Sequence, residues 1–176
     1  MLFAAKNIMN KNLTKFVCVN AVVAALYVVF TMPFGTISTS SGFQFRPAEA
    51  LTILPALCPY TIVGLTIGCA VSNLVSQFGI FDIILGSLVT LIAGFLTSTK
   101  LFNKFWSAPL PPVILNAALL PLIWFLVPEA EASFAIYFAN AASLLLTQGV
   151  VIFGLGIPLY FVTQKKLLGL MSLEKE

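Results

Sequence analysis

Few side chains in this sequence are equipped for chemistry, and their types suit recognition better than reaction. The only arginine, Arg46, stands three residues before Glu49 in the block Phe45-Arg46-Pro47-Ala48-Glu49-Ala50-Leu51. Asp82 opens another apolar run, and the amides Asn73, Asn116, Asn140 and Gln148 interrupt others. A carboxylate accepts hydrogen bonds from N–H groups and a guanidinium donates to carbonyls, so such a set can read the polar edge of a ligand. Catalysis is poorly served. The chain has no histidine, which excludes a His-based general base or zinc site. It also shows no metal-binding cluster, no nucleophile with its base and no G-x-x-x-x-G-K-[ST] nucleotide loop. The expectation is a protein that is not an enzyme, with no cofactor, no metal and no ATPase site of its own.

Each of these residues also has a plainer reading. Glu49 would fall in the first turn of a helix begun by Pro47, where exposed amides and the helix dipole favour a carboxylate, with Arg46 simply pairing to it across three positions. Asp82 can cap a helix, and the amides can bond between helices. Glu129 and Glu131 read as solvated turn residues. Taken together, Glu49, Asp82, Arg46 and the amides, beside Trp124 and Tyr137, could line a small cavity with hydrogen-bonding groups and stacking faces. That suits a planar, nitrogen-rich ring, neutral or weakly charged.

The elements that must position these residues are set by the medium. The 176 residues are 60% hydrophobic and 9% charged, with 16 Phe, and the mean hydropathy is +1.04. There is too little polar surface to cover a water-soluble domain, so the chain reads as one all-α integral membrane domain over 1–176. Ionisable groups at the bilayer centre cost roughly 2.5 to 3.5 kcal/mol each, which makes Arg46, Glu49 and Asp82 functional candidates. The net charge of +3 speaks to orientation and not to nucleic acid. The three cysteines, Cys18, Cys58 and Cys69, form no C-x-x-C and read as small buried residues. Lys6, Lys11 and Lys15 lead an apolar run too long for a cleavable signal, so the run is read as a retained first span.

Six transmembrane spans are expected, at about 16–34, 47–58, 60–75, 82–98, 110–127 and 134–163. The second is only about 18 Å of helix, and a short segment ending inside a membrane needs protein or a cavity around its loose backbone groups. Such segments mark transporter binding sites. Ala21 and Ala25 stack on one face of the first span and leave a groove where another backbone can approach. The pair Gly64 and Gly68 suits tight helix packing. The Ser/Thr-rich loop over 35–45 is long enough to fold over something. With six spans both termini share one side, and Lys6, Lys11, Lys15, Lys100, Lys104, Lys165, Lys166 and Lys175 all fall there. The positive-inside rule makes that side cytoplasmic and places Arg46, Glu49, Asp82, Glu129 and Glu131 opposite. Without an ATP motif, a binding protein of this kind must use an ion gradient, conduct passively or borrow energy from a partner.

The lysine-led first span, the Ala21-x-x-x-Ala25 face, the Phe45 to Leu51 block, Asn73, Asp82-Ile83-Ile84-Leu85-Gly86-Ser87 and Asn116 together resemble the QueT family, over about Phe16 to Tyr160. Its members are substrate-specificity (S) components of energy-coupling factor (ECF) transporters. The resemblance implies a six-helix bundle of the ECF S-component type in a bacterial cell membrane, taking up a queuosine precursor or related 7-deazaguanine. It also implies partners, a transmembrane coupling subunit docking on Ala21 and Ala25 and two cytoplasmic ATPases, with the 35–45 loop as a lid. Glu49 and then Asp82 stand first among the implied ligand contacts, supported by Arg46, Asn73 and Asn116, with Gln148, Asn140 and Trp124 further candidates. The alternatives are an S component for another vitamin and a stand-alone ion-coupled carrier.

Overall fold

The computed structural model describes residues 2–34, 44–126 and 133–173, and side chains over 13–34, 44–123, 125–126 and 133–167. The first helix, Leu2–Thr31, closes with a 3-10 turn over Met32–Phe34. A 3-10 helix over Pro47–Ala56 follows. Then come α-helices over Thr61–Ser72, Ile80–Thr97, Leu110–Leu119 and Ile123–Leu126, the last two joined by a 3-10 turn at Leu120–Leu122. Helices over Phe134–Val151 and Ile157–Leu173 are linked by a π segment at Ile152–Gly156. Among the described residues the fold is all helix, with no strand. Most of the candidate lid at 35–45 and the turn with Glu129 and Glu131 lie outside the described residues, as does the side chain of Trp124.

Three helical stretches are long and apolar enough to cross a membrane: Leu13–Phe34, Ile80–Thr97 and Phe134–Leu167, with mean hydropathies of 2.1, 2.1 and 1.9. Thr61–Val75 and Leu110–Leu122 are shorter apolar helices. The first helix starts at Leu2, well before the apolar run at Phe16. Prolines shape the other departures from a plain helical reading. The segment from Pro47 winds as a 3-10 helix and not as an α-helix, and Pro55 inside it has no N–H to give to the ladder. Pro121 likewise divides the fifth apolar run.

The 3-10 helix from Pro47 is the inner element. Ala48 and Ile53 are 0% exposed and Glu49 is buried with them. It touches the first, Thr61, Ile80 and last helical stretches. One cluster joins it to its neighbours through Val23, Tyr27, Ala48, Leu51, Leu65 and Cys69. Another, through Val89, Ala117, Leu120 and Leu144, ties the Ile80, Leu110 and Phe134 helices. The first and Thr61 helices meet backbone to backbone. A Cβ at Gly64 would lie 2.6 Å from the Asn20 carbonyl oxygen, and one at Gly68 2.7 Å from Tyr27 Cβ. Asn20 Oδ1 also accepts the Gly64 N–H at 2.5 Å. Small residues at such crossings let helices approach where no hydrophobic drive separates lipid from protein.

The ends of the bundle differ. Lys15, Tyr60 and Leu167 line one groove, and Lys104, Tyr160 and Gln164 line another. Phe16 meets Tyr60 edge to face at 6.2 Å, and Tyr160 Oη donates to the Asn103 carbonyl at 3.0 Å. Tyr27 lies twelve residues beyond Lys15 on the same helix, about 18 Å further along. There it joins the buried charges of the other end.

Candidate functional site

Arg46, Glu49 and Asp82 are 2%, 2% and 3% exposed. Charged side chains are almost never fully buried without partners, so their partners define the site. Asp82 Oδ2 sits 3.3 Å from Arg46 Nη2 in a buried ion pair and accepts from Ser76 Oγ at 2.5 Å. Glu49 takes no part in that pair. Its Oε1 accepts from Tyr27 Oη at 2.7 Å and its Oε2 from Asn116 Nδ2 at 3.3 Å.

Local structure explains this choice of partners. Arg46 caps the 3-10 helix with extended backbone, φ −120° and ψ 91°. Its side chain therefore leaves the helical direction that would have brought it onto Glu49 three residues later. The simple Arg46–Glu49 pairing anticipated from spacing is replaced by a long-range pair to Asp82. Asp82 does not cap its helix either. The cap position is Gly79, whose φ of +56° is one that side chains disfavour. Asp82 comes three residues later with its carboxylate turned to Arg46 and Ser76.

Asn73 ends the Thr61 helix, 1% exposed. Its Nδ2 donates to the Asp82 carbonyl at 3.0 Å and lies 3.6 Å from Cys69 Sγ. Gly86 makes this approach possible, since a Cβ there would stand 2.6 Å from Asn73 Nδ2. Asn73 Oδ1 has no hydrogen-bond partner among the described residues. Neither does Oε1 of Gln148, which is 1% exposed on the last long helical stretch.

The structure therefore forms two adjoining sets, Glu49 with Tyr27 and Asn116, and Asp82 with Arg46, Ser76 and Asn73, linked where the Glu49 N–H donates to the Arg46 carbonyl at 3.0 Å. Asn140 is spent within its own helix, where Nδ2 donates to the Ile136 carbonyl at 3.0 Å. Tyr137 bridges two helices through the Ala118 carbonyl at 2.8 Å. Two site residues escaped sequence reasoning. Ser76 lies in a turn with no distinguishing pattern. Tyr27 did carry a signal, because a phenol inside an apolar helix needs a partner for its hydroxyl. Of the cysteines, Cys69 is buried, whereas Cys18 is exposed on the outside of the first helix. Ala21 and Ala25 are exposed on that same side.

Comparison with known proteins bears on this arrangement. The model of the QueT transporter family matches residues 17–165. The chain is 33% identical over 153 residues to the queuosine precursor transporter QueT of Lactococcus lactis subsp. cremoris (strain MG1363), covering 83% of this chain and 86% of that protein. No solved structure matches.

Proposed function

The chain belongs to the QueT transporter family, and on that premise we propose that it captures a queuosine precursor, a 7-deazaguanine, from outside the cell for delivery to the cytoplasm. The observation that carries the reading is the buried cluster of Glu49, Arg46, Asp82, Asn73 and Asn116 inside an apolar bundle. A deazaguanine presents adjacent N–H donors and a carbonyl on one edge. Glu49 and Asp82 accept from such donors, and Arg46 and Asn116 can give to the carbonyl. Gln148 is a further candidate contact through its buried Oε1.

In this proposal the chain makes six crossings of a bacterial plasma membrane with both termini in the cytoplasm. The gathering of Lys15 and Lys104 with the end of the last helix supports that orientation. Transport is of the ECF type. A transmembrane coupling subunit docks on the exposed Ala21 and Ala25 face, and two ATPase subunits supply the energy.

Two measurements test this. Purified protein should bind a 7-deazaguanine tightly and vitamins of other classes poorly; the reverse would assign it to another substrate. Uptake in cells should vanish when the coupling subunit and ATPases are deleted, and persistence would make it a stand-alone carrier. Glu49→Gln should weaken binding while leaving expression normal, and unchanged affinity would return Glu49 to a purely structural role.

A further inference from the structure

We infer that the lysine-bearing end of the bundle holds a binding site for the headgroup of an anionic phospholipid, in the groove between residues 103–106 and the last helix. The site is separate from the buried cluster and independent of the cargo. Its groove has a volume of about 350 Å³, within the range of small-ligand sites, and its walls include Lys104, Phe105, Trp106, Tyr160, Phe161 and Gln164. Lys15, Lys100, Lys104, Lys165 and Lys166 are all exposed, and none forms an ion pair among the described residues. The described carboxylates, Glu49 and Asp82, are buried at the other end. The positive charge at this end is therefore left for an anion from outside the chain to balance.

The fold holds this groove in shape. Tyr160 Oη donates to the Asn103 carbonyl at 3.0 Å, and the Lys104 carbonyl accepts from the Ser107 and Ala108 N–H groups at 3.0 and 2.8 Å. The rings of Phe105 and Phe161 meet at 5.3 Å, and Lys104 Nζ stands 6.0 Å from the Trp106 ring centre. Lys104, Trp106 and Gln164 bring an ammonium, an indole N–H and an amide N–H to one place, donors that suit the oxygens of a phosphate. The position of the groove makes that phosphate a lipid's and not a soluble one. Two membrane-length stretches, Ile80–Thr97 and Phe134–Leu167, end beside it. Phe105, Trp106 and Phe161 are 44%, 54% and 49% exposed, with Leu101 nearby at 73%. Apolar rings lie well against acyl chains at the bilayer edge, where Trp is favoured and a lysine reaches up to the headgroups. A nucleotide or free phosphate would leave those rings facing water, whereas a basic pocket between membrane helices suits an anionic headgroup with its chains.

The test is native mass spectrometry of the full-length protein, delipidated in detergent and titrated with phosphatidylglycerol or phosphatidylcholine of the same chain length. The first phosphatidylglycerol should bind roughly tenfold more tightly than phosphatidylcholine, and Lys104→Gln should weaken it about fivefold, the scale of one lysine at an anionic membrane surface. Lys100→Gln removes the same charge from the same connection but outside the groove, and should weaken binding less than about twofold. Both lysines are exposed, so both variants should elute as the wild type does on gel filtration. Equal losses from the two variants would reduce the preference to diffuse surface charge and overturn the site, as would equal affinities of the wild type for the two lipids. Inorganic phosphate or ATP at millimolar concentration should leave the lipid bound. Displacement by either would give the groove to a soluble phosphate and overturn the inference.

Discussion

Along the first helix, Asn20, Val23, Tyr27 and Thr31 are buried against the Thr61 helix and the 3-10 helix from Pro47, whereas Cys18, Ala21, Val22 and Ala25 on the opposite side are exposed. The inner face is specific: Asn20 holds Gly64, Tyr27 holds Glu49, and two glycines admit the helix backbone. The outer face is apolar, carries small residues and is exposed among the described residues. With the docking proposed above, one helix supports two kinds of recognition. The inner face needs particular atoms at particular places, and the outer one needs only shape and apolarity. Substitutions should therefore be felt in different measurements on the two sides.

The sharpest break should come beneath the inner face, at the ion pair that closes the site. Arg46→Ala leaves Asp82 buried without its cation and should lower stability by about 3 to 5 kcal/mol, read as a lower unfolding midpoint in detergent. The double variant with Asp82→Ala should recover part of that loss, and a purely additive result would mean that the pair is not coupled. Next in size is Gly68→Leu, which drives a side chain into Tyr27 and should cost about 1 to 3 kcal/mol, with loss of monodisperse protein on gel filtration. Tyr27→Phe removes one donor from a buried carboxylate without changing shape. It should cost about 1 to 3 kcal/mol and weaken cargo binding in titration. On the outer face, Ala25→Leu should move stability by less than about 0.5 kcal/mol. The same change should strongly impair co-purification with the coupling subunit proposed above, and undiminished co-purification would remove this face from the proposal. If it destabilised the isolated chain as much as Gly68→Leu does, the contrast between the two faces would be lost.

How far the sequence could be read depended on the range of each interaction. The glycine pair at 64 and 68 was legible because helical spacing alone puts both on one face. Glu49 and Asp82 were legible as rare charges in an apolar chain, and Asn116 as an amide within an apolar run. The pairing was not legible. Spacing suggested Arg46 with Glu49, but extended backbone at Arg46 sends its guanidinium to a residue 36 positions away. Tyr27 reaches Glu49 across 22 positions, and Asn116 reaches Glu49 across 67, distances over which no local periodicity speaks. Asn140 shows the opposite failure, an amide in a suitable place that simply satisfies its own helix.

By itself the sequence determined the medium, the helical character and the small set of groups that can act in it. Those follow from composition and from the cost of burying polar atoms in lipid. Only the tertiary structure decided that Arg46 pairs with Asp82 while Glu49 accepts hydrogen bonds from Tyr27 and Asn116. That pairing depends on how closely the helices approach and in what register, which the contacts at Gly64, Gly68 and Gly86 set between elements far apart in the chain.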